Sequence, residues 1–347
     1  MTTAANVNFD ESSQYFSGQG VVMIGSRDAN GNPTGLRALG NVSDLKLTVA
    51  TTIVDHKNSQ DGQRATDARL RTDIKSTASL TLDSWFAANL AKALSGDNTV
   101  IPAGAVAAEA VNCYPGLISP LAYINTSNLV LTSATSTVLT AYTTPSAPYD
   151  YKVNQSAGSI EINPLDGALA PVGLGTAPSA ITVGSTTVIT MANTATVGEE
   201  VYLVGFTGAN ASSLNNISAL ISACDSGHIT IPVVTTAETI TVGAGSRVIF
   251  ANEAQPCSAA YNFSAQTLVH GLTQPLTDVF LRFEGLNTVQ GNTPVVVEIF
   301  RFSTDPLKEL SLISDTFGSF QLEGAIMYDY TKLASGLSPY FHVKQLY

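Results

Sequence analysis

The stretch Asp44–Leu94, DLKLTVATTIVDHKNSQDGQRATDARLRTDIKSTASLTLDSWFAANLAKAL, decides how the chain is read. At its start Leu45, Leu47 and Val49 alternate with Lys46, Thr48 and Ala50. Near its end Ala78, Leu80 and Leu82 alternate with Thr77, Ser79 and Thr81. A period of two marks a strand with one face buried, so both flanks read as half-buried strands. Between them, Thr51 to Lys75 is too polar to pack a core and sets Asp55, Asp61, Asp67 and Asp73 against Lys57, Arg64, Arg69, Arg71 and Lys75, with His56 titratable. Only 12% of the whole chain is charged, so this is a concentration of charge. Long loops without structure of their own are functional or disordered. The mixed signs favour a loop ordered against something outside its own domain; the competing reading is a solvated, flexible segment.

The rest of the chain narrows the class. With 347 residues it can bury a sizeable core and hold one to three domains. Helical periodicity is rare, Gly (27) and Pro (15) are spread throughout, and Thr and Ser are abundant, which predicts a mainly β fold. A net charge of −11 argues against a surface that grips nucleic acid, because such grip comes from Lys and Arg on phosphates. It is compatible with a surface that lets nucleic acid pass. Between Lys92 and Arg247 the only base is Lys152, against nine carboxylates from Asp97 to Glu238. The N-terminal residues MTTAANVNFDESSQYF lack the pattern of a secretory signal, and no apolar run reaches the roughly 18 residues of a membrane span. The six N-x-[ST] sequons, absent such a signal, read as products of Asn and Ser/Thr richness.

Taken in order, residues 1–14 form a polar arm. Tyr15 to Ile24 reads as a strand, RDANGNPTG (27–35) as a hairpin turn, and Leu36 to Asn41 as the returning strand. Asp83 and Ser84 are candidate N-caps of a flanking helix whose apolar face carries Trp85, Phe86, Leu90 and Leu94; the only Trp thus reads as a core anchor. Short β-type runs follow to Ile162. Residues 168–180, ALAPVGLGTAPSA, have the composition of a linker, and Ala180 to Ala251 reads as an inserted small all-β module. After Pro256 come a strong hairpin at Val279–Phe302, a segment Asp305–Ile313 that is a short helix or an extended edge, and strands at Gly318–Asp329 and near the end. The expected organisation is therefore one domain from 15–167 and 257–347, interrupted by linker and insertion at 168–256.

Four stretches carry a resemblance: GQGVVMIGSRDANGNPTGLRALGNVSDLKL (18–47), DHKNSQDGQRATDARLRTDIKSTASLTL (55–82), LRFEGLNTVQGNTPVVVEIF (281–300) and KELSLISDTFGSFQLEGAIMYD (308–329). Together they are similar to tail tube proteins of long-tailed bacteriophages, over about residues 13–165 and 257–347. The resemblance implies a β-sandwich or split-barrel core with one flanking α-helix and a long inter-subunit loop. It also implies a virion protein, put together in the host bacterial cytoplasm, whose hexameric rings stack into a tube with an acidic lumen for genomic DNA. Implied partners are further copies of the chain, the tape measure and tail terminator proteins, and DNA in transit, with no membrane. The strands flanking the loop (Asp44–Ala50, Ser76–Leu82), with those at Pro294–Phe302 and Ser319–Ile326, are expected to form the sheet that joins neighbours, the insertion lying outside the tube.

Nothing in the sequence assembles a catalytic site. Cys113, Cys224 and Cys257 have no metal-ligand spacing and read as small buried residues; His56, His228, His270 and His342 are far apart; Glu199-Glu200 reads as a solvated turn. GQG (18–20) and GLG (173–175) lack the Lys or acidic partner of a phosphate loop. The expectation is no enzyme, no cofactor and no metal. The inter-subunit contact is expected at Asp55, His56, Lys57, Gln63, Arg64, Asp67, Arg69, Arg71 and Asp73, because charge pairs set register and partner choice. The competing function is an adhesive or carbohydrate-binding virion protein, a fibre or capsid decoration, with Tyr142–Tyr151 as a stacking face.

Overall fold

The chain folds into two compact units in the computed structural model, which describes residues 15–60, 62, 64–165, 169–333 and 338–346. One unit comprises Met1–Val100 with Thr267–Tyr347, the other Ile101–Gln266. In chain order the first unit begins with β1 (Gly18–Ser26), β2 (Arg37–Ala38), β3 (Val42–Lys57), β4 (Thr66–Leu82), helix α1 (Ala87–Ala93) and β5 (Asp97–Ile101). The second follows with β6 (Gly104–Cys113), β7 (Ile118–Pro120), β8 (Thr126–Ser133), β9 (Tyr151–Asn154), β10 (Ser159–Ile162), β11 (Ala180–Thr182) and β12 (Thr187–Thr190). It continues through β13 (Glu200–Val204), β14 (Ile217–Leu220), β15 (Ala223–Asp225), β16 (His228–Ile231), β17 (Arg247–Phe250) and β18 (Gln255–Phe263). The chain then returns through β19 (Gln266–His270), β20 (Asp278–Asn287), β21 (Thr293–Thr304), β22 (Phe320–Ile326) and β23 (Phe341–Gln345). The fold is mainly β, as composition implies.

The first unit is built on one large sheet in the order β2-β1-β20-β21-β22-β4-β3, with β23 also on β21 and every pairing antiparallel, and β5 pairs with β19 apart from it. The four strands expected to share a sheet do so as consecutive neighbours. Residues two apart bury together: Val22 and Ile24, Ala78, Leu80 and Leu82, Leu281, Ile299, Phe302, Phe320 and Leu322 form its core. Gly20 of the GQG motif answers a steric demand, since a Cβ there would lie 2.2 Å from the Glu284 carbonyl oxygen of β20. On the opposite face Arg282, Glu298 and His342 stand in register across β20, β21 and β23.

The helix differs from expectation at its start. Its N-cap is Phe86, with no side-chain cap. The Ser84 hydroxyl instead accepts from the Asn41 N–H at 2.8 Å, and Asp83 accepts from Asn41 Nδ2 at 2.8 Å and Ser43 Oγ at 3.1 Å. These groups tie the end of β4 to the start of β3, which is why they do not cap. Trp85 lies ahead of the helix, 45% exposed and edge-on to Phe320, so it is no core anchor. The helix instead buries Asn89, Ala91 and Ala93.

The unit boundaries also differ from expectation, falling at 100/101 and 266/267 instead of 167 and 257. The physical reason is β18, which pairs with β6 on one side and β8 on the other and so holds residues 104–133 in the same unit as the inserted strands. Two cores share one sheet within this unit. From strand EVYLV (200–204), Val201 and Leu203 enter a core with Ile189, Ile229 and Val248, while Tyr202 and Val204 enter another with Leu131, Ile160 and Tyr151. A strand buried on both faces carries a continuous apolar run.

The stretch read as a linker is a built part of this unit. Asp150, fully buried, accepts at Oδ1 from the N–H groups of Val172 (2.7 Å), Gly173 (2.8 Å) and Leu174 (3.0 Å), and at Oδ2 from Thr140 (2.7 Å). The glycine-rich run thus wraps a carboxylate of its own chain. Replacing Asp150 by Ala orphans four donors, each worth about 1–3 kcal/mol when buried unpaired. We expect Asp150→Ala to lower stability by at least about 3 kcal/mol in urea unfolding followed by circular dichroism; a loss below about 1 kcal/mol would contradict this account.

Candidate functional site

The segment expected to be a loop is the outer half of a hairpin. Backbone pairing between β3 and β4 runs from Val42↔Leu82 to Lys57↔Thr66, with irregularities at Val42/Asp44, Thr52/Ile53 and His56/Lys57. The Asn58 N–H closes its tip on the Ala65 carbonyl at 2.8 Å, and Gly62 and Arg64 take positive φ there (73° and 51°). From Ala50 to Lys57 and from Thr66 to Lys75 every residue is exposed, so this is an arm standing clear of the core. Strand structure persists because the alternation does: Thr51, Ile53 and Asp55 continue the core-facing register of Leu45, Leu47 and Val49.

The charges of this arm partly satisfy one another, which corrects the reading that they need a partner outside the segment. Asp55 receives Arg69 through Nε at 2.8 Å and Nη2 at 3.3 Å, and His56 Nδ1 lies 2.6 Å from Asp67 Oδ1. The hydrogen bond and charge of Asp55 push the Arg69 guanidinium pKa up. These pairs link facing strands, as Asp55 stands opposite Arg69. Lys57, Arg64, Arg71, Asp73 and Lys75 make no ion pair among the described residues. Gln63, like Asp61, lies outside the described residues.

What sequence reasoning missed on the arm is apolar. Val49 (56% exposed), Ile53 (42%) and Ile74 (41%) follow the core-facing register outward, and Val54 (54%) stands opposite Leu70 (65%) on the other face. The signal was present in TTIV and in the apolar Leu70 and Ile74, but the interspersed charges masked it, and the irregularity at Thr72 puts those two on opposite faces. Large apolar side chains in a contiguous exposed row mark a surface used for association.

The other candidates resolve into structural roles. Tyr149 and Tyr151 are buried, and Lys152 Nζ sits 5.6 Å from the Tyr142 ring centroid and 5.4 Å from that of Tyr149, so the proposed stacking face is occupied by its own chain. Cys113 and Cys257 are buried in one core, where the hydrogen bond between them and burial push the Cys113 thiol pKa up; the partly exposed Cys224 donates to the Ala195 carbonyl at 3.1 Å. His228 pairs with Asp225 and His342 with Glu298. Among the described residues no three His, Cys, Asp or Glu side chains converge as a metal site, and no helix is long and apolar enough to cross a membrane.

Glu298 is the charge hub of the first unit, 8% exposed and bonded to Arg282, His342 and Lys344. Burial alone would raise its pKa, yet Lys344, His342 and Arg282 together hold it below the ordinary 4.5. A depressed carboxylate contributes stability that is complete above its unfolded pKa and is lost as pH falls through the folded value. Asp329, held down by Thr331 and Arg27 against the opposing effect of burial, acts in the same direction. Stability should therefore fall as pH drops below about 4.5, and Glu298→Gln should flatten that fall in thermal unfolding at pH 3–7. An unchanged pH profile in the variant would remove Glu298 from this role.

The fold and site define a two-unit, mainly β chain with a projecting, apolar-edged hairpin arm. A family model described as "Protein of unknown function UCP028589" matches residues 15–221 and 216–344, and the chain belongs to that family. Among curated proteins none matches the chain.

Proposed function

We propose that the chain is a structural virion protein that self-assembles as stacked rings into the tail tube of a long-tailed phage, with an acidic lumen that conducts DNA. The observation that carries this reading is the arm: a hairpin of 16- and 17-residue strands whose outer half keeps its strand pairing while leaving Val49, Ile53 and Ile74 exposed. An isolated two-stranded ribbon is marginal in water, so such an arm gains most by laying its apolar row on another chain. The stretches similar to tail tube proteins support the reading further, because they supply β1, β3, β4, β20, β21 and β22 of one sheet. A net charge of −11 leaves few phosphate clamps to retain passing DNA. Function on this reading is assembly and conduction without catalysis, with further copies, a tape measure protein and a tail terminator as partners, the insertion lying outside the tube.

Negative-stain electron microscopy of the purified chain should show rings or tubes. The pair Ile53→Asp and Ile74→Asp should abolish them while changing monomer stability by less than about 0.5 kcal/mol, since both sites are exposed. Discrete monomers of the wild-type chain at high concentration, or normal tubes from the double variant, would contradict the proposal.

A further inference from the structure

The connection between β21 and β22 leaves three apolar side chains in solvent: Leu312 is 76% exposed, Ile313 94% and Phe317 99%. Within this 305–319 segment only Leu307 and Leu310 pack on the core. It is neither the short helix nor the edge strand expected from sequence. Among the described residues no backbone hydrogen bond joins 308–318 to any other backbone group, and the Ser314 hydroxyl, accepting from Thr316 N–H at 3.1 Å, is its main local tie. The apolar side chains in water are an unmet demand, and the backbone groups beside them are open to pairing with another chain.

The charge of the segment states what would meet them. Lys308 is taken by Glu323, which leaves Glu309 and Asp315 with no ion pair among the described residues. In an extended conformation Ile313, Asp315 and Phe317 share one face, apolar, acidic, apolar. The hairpin arm offers the complement: Val49, Ile74 and Ile53 in a row, with the unpaired Arg71 directly opposite Ile53. Lys57, Arg64 and Lys75 add positive charge around it against Asp73, the one unpaired carboxylate among the described residues of the arm. The outer edge of β3 is also free, since this strand ends the sheet and bonds only to β4. Six extended residues reach at most about 20 Å, enough to cover the roughly 13 Å from Val49 to Ile53.

We infer that the arm of one copy is received by the 308–318 segment of a second copy, with Asp315 against Arg71 and with Ile313 and Phe317 over the row Val49, Ile74 and Ile53. The contact is heterologous, arm to segment, so each copy uses one surface to give and another to receive, which propagates association beyond a dimer. This rests on the self-assembly reading above and names the receiving surface, which that reading leaves open.

Charge exchange tests it. Arg71→Glu and Asp315→Arg should each cut the pelletable fraction in sedimentation by about tenfold or more, and the two together should restore it to within about threefold of wild type. Thermal unfolding should not move, because neither side chain has an internal partner. Wild-type tubes that survive both single substitutions, or a double variant no better than Arg71→Glu alone, would overturn this contact while leaving tube assembly standing. Charge-exchange-dependent oligomers without rings would support the contact and remove the tube. A wild-type chain that stays monomeric at every concentration would overturn both.

Discussion

Strand β21 makes backbone hydrogen bonds on both of its edges, and on one of them its partner changes along its length: β23 lies against Val295–Ile299 and β22 against Phe302–Thr304. The other edge is held by β20 throughout. Phe302, fully buried, occupies the point where the new neighbour begins, beside Ile299 and Ile326. The remainder of the first unit depends on this division. β22 pairs with the last residues of β21 on one edge and carries β4 on the other, and β4 in turn carries β3. Because β23 takes the first half, Glu298 meets His342 and Lys344 as well as Arg282. Buried carboxylates are tolerable when several donors share them, and here those donors come from the two strands that flank β21.

The sequence made the local pattern legible and hid what depends on distant partners. The alternation at Leu45–Val49 and Ala78–Leu82 announced strands, and the turn at Gln290-Gly291-Asn292 announced the β20–β21 hairpin. The strands continue past Ala50 because pairing sustains them beyond the core, and the apolar residues that mark them there, Ile53 and Ile74, stand among charges. Residues 168–180 looked like a linker because small, uncharged residues have the same composition whether they connect or wrap. Only the position of Asp150, more than twenty residues away, distinguishes the two. Trp85 falls outside the helix for a related reason: Ser84 and Asp83 are engaged by Asn41, and the helix begins two residues after the Trp. At the candidate site the charged residues and Val49 are legible in the sequence, whereas the exposure of Val49 and the row it forms with Ile53 and Ile74 depend on how far the strands run beyond the core.

In the second unit the sheet β14-β13-β17 is packed on both sides, so neither of its cores is complete without that sheet. Tyr202 and Leu203 are adjacent in sequence and belong to different cores. A change that shifts β13 by one residue would exchange the two sets of side chains, which makes register in this strand strongly specified. Small strands of three to five residues are viable there because the packing of two layers compensates for the few hydrogen bonds each contributes.

The arm has a temporal side as well as a spatial one. Its inner half, Leu45–Thr48 against Thr77–Leu80, is anchored by core packing, whereas its outer half has only ladder bonds and two exposed ion pairs. Opening free energy therefore declines along a single hairpin from root to tip, and amide exchange should quicken in the same order. On the proposed assembly, the first capture of an arm would bear the full ordering entropy, while copies joining an existing end would meet a surface already in place. Such a difference would produce a lag before growth.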